Sequence, residues 1–569
     1  MANLSKSKTL FFPTSPRTPH KIINEIKLLV DNFSGKTWNK ETQKAFASLL
    51  AKSDFFEGNI KENDDFGARD RINRAPKSLG FVNLHPIKLT PIGKRLLFQK
   101  RMDETFTRQF MKFQLPSPYH IDSEKRYNVK PYLELVRLVY ELGGITKHEI
   151  AMFAMQLINI NKYEEIVKEI KDFRKEKDNR KYTKKREFIF ESYKKAVTKI
   201  YAQEIKEEDF DLRESENNDL DKFISTKKSN LIDYADAAIR YLKATGLVSF
   251  NVQKLKVEIL NDKIKDVEYL LKSIKREPVS FKSVDQYEEY LFDDVNVLLL
   301  TDNKEELIKK IEILIELVSD VSLKKKAKNL EKMSIEELKD LYDLLESEKT
   351  NQVVEEQKSK LQNYQDYSSI LEVYNNIAEG EVADPSLVFE WNTWRAMVML
   401  NDGDIRGNFK IDSDGSPLFT APSKVPDIEC DYKDFNMTVE VTLSRGQKQY
   451  DMEGEPVARH LGDYKRLKNK ETFCLFVATN ISSGTLSHFY ALHHTNISYY
   501  GGKAHIIPMS VELFIKMIEH AKEKKGVKSE QIHQYLKFLV DKTSNTKDEN
   551  EWFDVIKNTV GKWTEEINN

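Results

Sequence analysis

The segment Met437-Thr-Val-Glu-Val-Thr-Leu443 places a carboxylate at the centre of a run that is otherwise β-prone. Strand alternation puts Thr438, Glu440 and Thr442 on one face and Val439, Val441 and Leu443 on the other. Burying Glu440 there costs desolvation energy unless a cation or a hydrogen-bonding partner offsets it. Asp427 follows Pro426 at the start of the preceding extended segment, thirteen positions earlier. A hairpin pairing the two segments would bring both carboxylates within reach of one metal ion. Such a site, with the Val441 carbonyl as a further oxygen, suits a hard divalent cation: Mg²⁺, with Mn²⁺ as a substitute. That ion would lower the pKa of bound water and stabilise charge on a phosphate.

The flanking pattern is mixed α/β from Leu387 onwards. Ser386 is placed to cap a helix carrying Glu390, Trp391 and Trp394. Extended segments are expected at 405–411, 427–432 and 437–443, then a helix from Pro456 to Lys468 and a buried strand at Thr472–Ala478. A helix at 486–494, a strand at 504–508 and three helices complete the chain. Helix, three strands, helix, strand is the core order of the PD-(D/E)xK phosphodiesterases. The motif departs from theirs at one position: Thr442 stands where a Lys would polarise the attacking water. Glu453, Glu455 and Lys448 are each candidates for that role. His460, expected at the start of its helix, is a candidate proton carrier or phosphate contact.

Elsewhere the charge is uneven. The chain carries a net charge of -1, yet residues 1–130 hold about 24 Lys+Arg against about 13 Asp+Glu, roughly +11 by count. A basic first segment fits a polyanion partner. Helices are expected at 21–30 and 41–52, and Thr90 with Pro91 marks another start. Asp70–Val82 can be laid on Asp236–Val248 without a gap, matching Asp70 with Asp236, Arg74 with Arg240, Lys77 with Lys243, Gly80 with Gly246 and Val82 with Val248. In each copy a helix ends at a glycine and a short hairpin follows, which is how a winged helix-turn-helix reads in sequence. Arg69, Arg71, Asn73, Arg74 and Lys77 then become candidate DNA contacts, with Arg240 and Lys243 their counterparts. Arg on such a helix can bond bidentately to guanine in the major groove.

These patterns predict a multidomain α+β chain. Residues 1–285 form a helical winged-helix DNA-recognition region, 286–380 a helical linker, and 381–569 an α/β PD-(D/E)xK-type cleavage domain. The linker reading rests on a charged, Gly-free stretch from Lys304 to Tyr374, in which Ile311, Leu314, Ile315 and Val318 share a face. Two cysteines, Cys430 and Cys474, are too few for a disulfide framework or a Cys-rich zinc site. No apolar run approaches membrane-spanning length, and Met1–Pro13 lacks the apolar stretch of a signal peptide, so a cytoplasmic location is expected. His488, His493 and His494 lack metal-ligand spacing. Gly501-Gly502-Lys503 is read as a tight loop before a strand, not as a P-loop. Tyr119–Tyr132 is read either as a DNA-backbone track or as packing between subdomains.

Longer strings carry a resemblance: Ser15-Pro-Arg-Thr-Pro19, Ala68-Arg-Asp-Arg71, Arg74-Ala-Pro-Lys-Ser-Leu-Gly-Phe81, Lys112-Phe-Gln-Leu-Pro-Ser-Pro-Tyr-His120, Glu390-Trp-Asn-Thr-Trp-Arg395, Thr438-Val-Glu-Val-Thr442, Met452-Glu-Gly-Glu-Pro-Val457 with Arg459-His460, and Asn496-Ile-Ser-Tyr-Tyr-Gly-Gly-Lys503. By these the chain resembles the AlwI-type family of type IIS restriction endonucleases, including its nicking branch. The resemblance implies an Mg²⁺-dependent enzyme that reads a short asymmetric site in double-stranded DNA, GAGTC being the expected sequence, and cuts a few bases to one side. It implies active-site roles for Glu390, Asp427, Glu440, Glu453 and His460, and it implies that the missing Lys is a family trait. One cleavage domain holds one site, so cutting both strands calls for a transient homodimer or a small-subunit partner. The alternatives are a strand-specific nicking enzyme acting as a large subunit, and a winged-helix regulator that does not cut.

Overall fold

The computed structural model describes residues 2–4, 7–53, 55–56, 64–98, 100–212, 218–293, 296–400, 403–420 and 424–566. Met1, Ser5 and Lys6 of the N-terminal stretch lie outside them. The chain divides into two compact units, Met1–Glu346 and Ser347–Asn569. Residues 286–346 fall in the first, where Leu307, Ile311, Leu314, Leu338, Leu341 and Leu345 build a hydrophobic cluster of their own. Among the described residues no helix is long and apolar enough to cross a membrane.

The first unit is mostly helical, with short sheets between the helices. Both copies of the internal repeat take one local form. Asp65–Ile72 and a π-helical turn, Asn73–Lys77, lead to Gly80 at φ +79° and then to the hairpin Val82–Leu84/Ile87–Leu89. Leu220–Lys243 leads to Gly246 at φ +65° and the hairpin Val248–Asn251/Lys256–Ile259, extended by Ile145–Thr146 into three strands. Only glycine takes this left-handed turn without penalty. Thr90 caps the helix Pro91–Phe98, its hydroxyl accepting from Gly93 N and donating to the Gly80 carbonyl at 2.6 Å.

A five-stranded sheet organises the second unit, in the order Ile506–Ser510, Thr472–Ala478, Asn436–Thr442, Ile428–Asp431, Asp404–Gly407. The first three strands run parallel and the last two add antiparallel edges. All seven residues of Thr472–Ala478 are buried, as an apolar central strand covered on both faces requires. On one face Cys474, Phe476 and Ile506 meet Val457, Leu461, Phe489 and Leu492 from the helices Gln447–Lys468 and Ser483–His494. The helices Pro385–Leu400 and Val511–Glu523 pack on each other and on the sheet.

One expectation fails here. The helix does not begin at Pro456 but at Gln447, nine residues earlier, with Pro456 inside it. Proline favours the first helical turn because its missing N–H matters least there, but here Pro456 is accommodated in the helix interior. His460 is accordingly a mid-helix residue, and Met452–Glu455 is helical rather than a preceding loop.

Candidate active site

The hairpin between Ile428–Asp431 and Asn436–Thr442 pairs Ile428 with Val439 and Cys430 with Met437. Continuing that register by one step sets Asp427 opposite Glu440. Residues directly opposite in an antiparallel pair project to the same face, so both carboxylates share a side of the sheet. Asp427 is fixed at two points: its Oδ2 accepts from Val441 N at 2.8 Å, and its carbonyl accepts from Asn408 N at 2.9 Å. Glu440 is buried at 6% exposure. Its strand pairs it with Phe476 on the other side, and on the hairpin side the Asp427 backbone N–H donates to its carboxylate.

A second partner comes from the helix. His460 Nδ1 lies 2.8 Å from Glu440 Oε1. Glu453 precedes His460 by seven residues on the same helix. Seven residues are close to two turns, so the two side chains share a face. Burial pushes the Glu440 carboxyl well above the usual range, and the negative charge of Glu453 pushes it further. Burial lowers His460 to about 4, with Arg459 adding to the effect. Both shifts favour uncharged groups: a neutral imidazole beside a carboxyl that resists ionising. Among the described residues the buried His460 Nε2 has no hydrogen-bond partner, which leaves one ring nitrogen for a further group.

These features bear on whether a divalent ion fits. Two facing carboxylates offer hard oxygen ligands, and the repulsion from Glu453 is what a cation would relieve. Among the described residues no three His, Cys, Asp or Glu side chains form a complete metal cage. Mg²⁺ does not need one: it is usually held by one or two carboxylates, with water and substrate phosphate completing the octahedron. Asp427 and Glu440 offer two carboxylates on one side of the sheet, with one Asp427 oxygen already accepting from Val441 N.

The other expected residues are placed as follows. Glu390 is buried on the helix Pro385–Leu400, which packs against the Glu440 strand. Thr442 is buried, and its hydroxyl accepts from Ser444 N at 3.1 Å. Glu455 points outward and pairs with Arg459 at 3.1 Å, while Lys448 is exposed. His488 packs edge-on to Tyr450, and His493 bonds the Ile506 carbonyl at 3.0 Å within the core. Gln449 was not anticipated. Fully buried, it donates to the carbonyls of Ser444 and Asn480 at 3.0 and 2.8 Å and accepts from Ser482 N at 2.8 Å. It thereby ties the start of the His460 helix to the segments that follow two central strands. Beside Lys448 it reads in sequence as a solvated residue, and no local signal marks it.

The candidate DNA contacts in the first unit divide. Arg69 is exposed over the Phe66 ring, and Asn73 is half-buried. Arg71 Nε donates to the buried Glu25 at 2.9 Å. Arg74 pairs with Asp70 and donates to Thr14 at 2.8 Å. The Lys77 ammonium lies 4.5 Å from the Tyr119 ring centroid, and burial lowers its pKa against the pull of Glu288. Arg240 is held by Asp236 at 2.9 Å, and Lys243 is buried at 2% exposure. Tyr119 and Tyr132, bounding the aromatic-basic stretch, are both buried.

Comparison with known proteins adds the family. The model of the AlwI restriction endonuclease family matches residues 77–517. The chain belongs to that family. It is therefore a site-specific endodeoxyribonuclease, of a kind that generally needs divalent metal ions. Among curated proteins none matches. Among solved structures, the small subunit (R.BspD6I2) of the heterodimeric restriction endonuclease R.BspD6I is 28% identical, with 34% of this chain and 98% of that chain covered at a TM-score of 0.29.

Proposed function

We propose that this restriction endonuclease is of type IIS organisation, hydrolysing phosphodiester bonds in a PD-(D/E)xK-like site on the second unit. The observation that carries the reading is the register that sets Asp427 opposite Glu440, with His460 bonded to Glu440 at 2.8 Å. Asp427, Glu440 and the Val441 carbonyl would hold Mg²⁺ or Mn²⁺. When bound, the ion supplies water activation and charge stabilisation at the phosphate. Glu453, on the same helix face as His460, orients the attacking water in place of the absent Lys. The hydrogen bond to Glu440 fixes the His460 ring, so that Nε2 can take a proton or contact phosphate oxygen. Glu390 supports the site from the adjoining helix. In-line hydrolysis leaves 5′-phosphate and 3′-hydroxyl ends.

DNA reading belongs to the first unit, whose repeated helix–glycine–hairpin form supports two winged-helix-like subdomains. Arg69, Asn73 and Lys77, with Arg71 and Arg74, are assigned to the DNA side of the first. Arg240 and Lys243 of the second are assigned to packing. The expected site is short and asymmetric, GAGTC, with cutting a few bases outside it. Double-strand cutting brings two cleavage units together, as a transient homodimer or with a small-subunit partner.

The test is cleavage of a supercoiled plasmid in Mg²⁺ by Glu440→Ala beside the wild type. The variant should lose activity by at least about 10²–10³-fold while binding its site as before. Equal loss of binding and cleavage would show Glu440 to be structural. Persistent open circles from the wild type would mark a nicking enzyme, linear product a double-strand cutter, and run-off sequencing of the ends gives site and offset.

A further inference from the structure

The edge strand Asp404–Gly407 pairs with Ile428–Asp431, Gly407 standing opposite Ile428 and Ile405 opposite Cys430. One further step sets Asn408 opposite Asp427, so their side chains project to the same face of the sheet. The edge is held from behind. Phe409, buried, meets the Trp394 ring edge-on at 5.9 Å, and Trp394 Nε1 donates to the Ile405 carbonyl at 3.3 Å. Trp394 belongs to the helix that carries Glu390, so the edge strand is anchored to another element of the same site. Gly407 allows the turn into Phe409: a Cβ there would stand 2.2 Å from the Phe409 ring.

From this place Asn408 donates to the Asp427 segment with both side chain and backbone. Its Nδ2 reaches the Pro426 carbonyl at 2.7 Å and Glu429 Oε1 at 3.1 Å, and its backbone N reaches the Asp427 carbonyl at 2.9 Å. A peptide unit is planar, so a bond to its carbonyl also sets the direction of its N–H. The Pro426 carbonyl and the Asp427 N–H are opposite edges of one such unit, and that N–H donates to the Glu440 carboxylate. The Asp427 carbonyl belongs to the next unit. Asn408 therefore holds both peptide planes that flank the Asp427 Cα, which fixes the two soft dihedrals of that residue. The direction of the Asp427 side chain follows from them, and its Oδ2 meets Val441 N at 2.8 Å.

We propose that Asn408 is a positioning residue, clamping the backbone on both sides of Asp427 so that the Asp427 and Glu440 carboxylates face one divalent ion already aligned. The residue type fits the task. Two amide hydrogens on a short stem serve two acceptors at once, whereas an ionised Asp has no donor and Ser has one. Its action is indirect, through Asp427 and, by way of the Pro426–Asp427 peptide, through Glu440. The inference rests on the proposed cleavage site and names what keeps its acids in place. Groups that orient metal ligands from behind typically matter about 10–100-fold to metal affinity.

The test measures Mn²⁺ binding to the full-length protein without DNA, by loss of the free-ion electron paramagnetic resonance signal, in wild type, N408A, N408S, R406A and D427A. Wild type should bind the ion and D427A should not. N408A should bind about tenfold more weakly, and N408S, which keeps one donor for the Pro426 carbonyl, should recover most of that loss. R406A alters the same edge strand at an exposed side chain paired with Asp404, and should bind as wild type does. On DNA, N408A should cut more slowly at limiting Mg²⁺ and approach the wild-type rate as Mg²⁺ is raised, with melting temperature and site binding unchanged. Wild-type affinity in N408A, an equal loss in N408A and N408S, or an equal loss in R406A would each overturn the inference. So would a melting temperature that falls in N408A along with the affinity, since Asn408 would then hold the fold as a whole. If wild type and D427A bind Mn²⁺ equally, or neither binds it, the cleavage site itself is misassigned, whereas a D427A-sensitive ion that N408A leaves untouched sinks Asn408 alone.

Discussion

The two copies of the internal repeat agree in their local bonds and differ in what covers them. Asp70 pairs with Arg74 as Asp236 pairs with Arg240, each four residues apart on a helix. Gly80 N donates to the Lys77 carbonyl at 2.9 Å, and Gly246 N to that of Lys243 at 3.0 Å. Yet Arg69, Asn73, Arg74 and Lys77 keep at least part of their surface in the first copy. In the second, Asp236, Ala237, Ala238, Ile239, Tyr241, Leu242 and Lys243 are all buried, the helix being packed against its Lys147–Met152 neighbour. A short sequence pattern thus encodes a helix end, an ion pair and a turn. Whether that helix is available to a groove is decided by distant residues that the pattern does not contain.

The sharpest way to break the parallel is at the two glycines. A Cβ at Gly80 would meet Leu291 Cγ at 2.6 Å in addition to the left-handed φ, so Gly80→Ala should cost roughly 3 kcal/mol or more. At Gly246 the nearest atom is Asp103 Oδ2 at 3.4 Å, so Gly246→Ala should cost only the backbone term, about 1–2 kcal/mol. Denaturant unfolding of both variants checks this, and equal costs would mean that the tighter packing at Gly80 carries no energy. Next in size is the functional split. Arg69→Ala with Asn73→Ala should weaken DNA binding about tenfold or more, since a base contact is worth about 1–3 kcal/mol, while melting stays unchanged. Arg240→Ala should do the reverse, lowering the melting temperature with affinity intact. Loss of DNA affinity from Arg240→Ala at unchanged melting would put the second copy at the DNA as well.

The same division between local and distant causes governs how much was legible beforehand. The strand Thr472–Ala478 and the facing acids Asp427 and Glu440 follow from alternation and hairpin spacing alone, because strand period and register are local properties. The helix cap at Thr90 was legible for the same reason. The early start of the Gln447 helix was not, since Pro456 carries a strong local signal that the tertiary bonds of Gln449 override. Nor was the ion pair of Arg71 with Glu25, which joins residues 46 positions apart. Sequence places acids of the site on their strands; it does not say which helix face will meet them.

The smallest expected effect concerns the paired ions themselves. Side chains of the Asp70–Arg74 pair are each 29% exposed, whereas those of Asp236 and Arg240 are 11% and 18% exposed. Water screens the first pair more strongly, so a double-mutant cycle there should give a coupling of about 0.3–0.5 kcal/mol, typical of exposed pairs on a helix. Both pairs carry an Arg Nε–carboxylate hydrogen bond, so the lower exposure of the second is what should raise its coupling to about 1 kcal/mol and make it weaken less in high salt. If both pairs instead couple equally and weaken by the same share in about 1 M salt, the covering of the second helix does not extend to its charges. Arg240 would then be as accessible to a phosphate as Arg74, and the assignment of the second copy to packing would fail on its own terms.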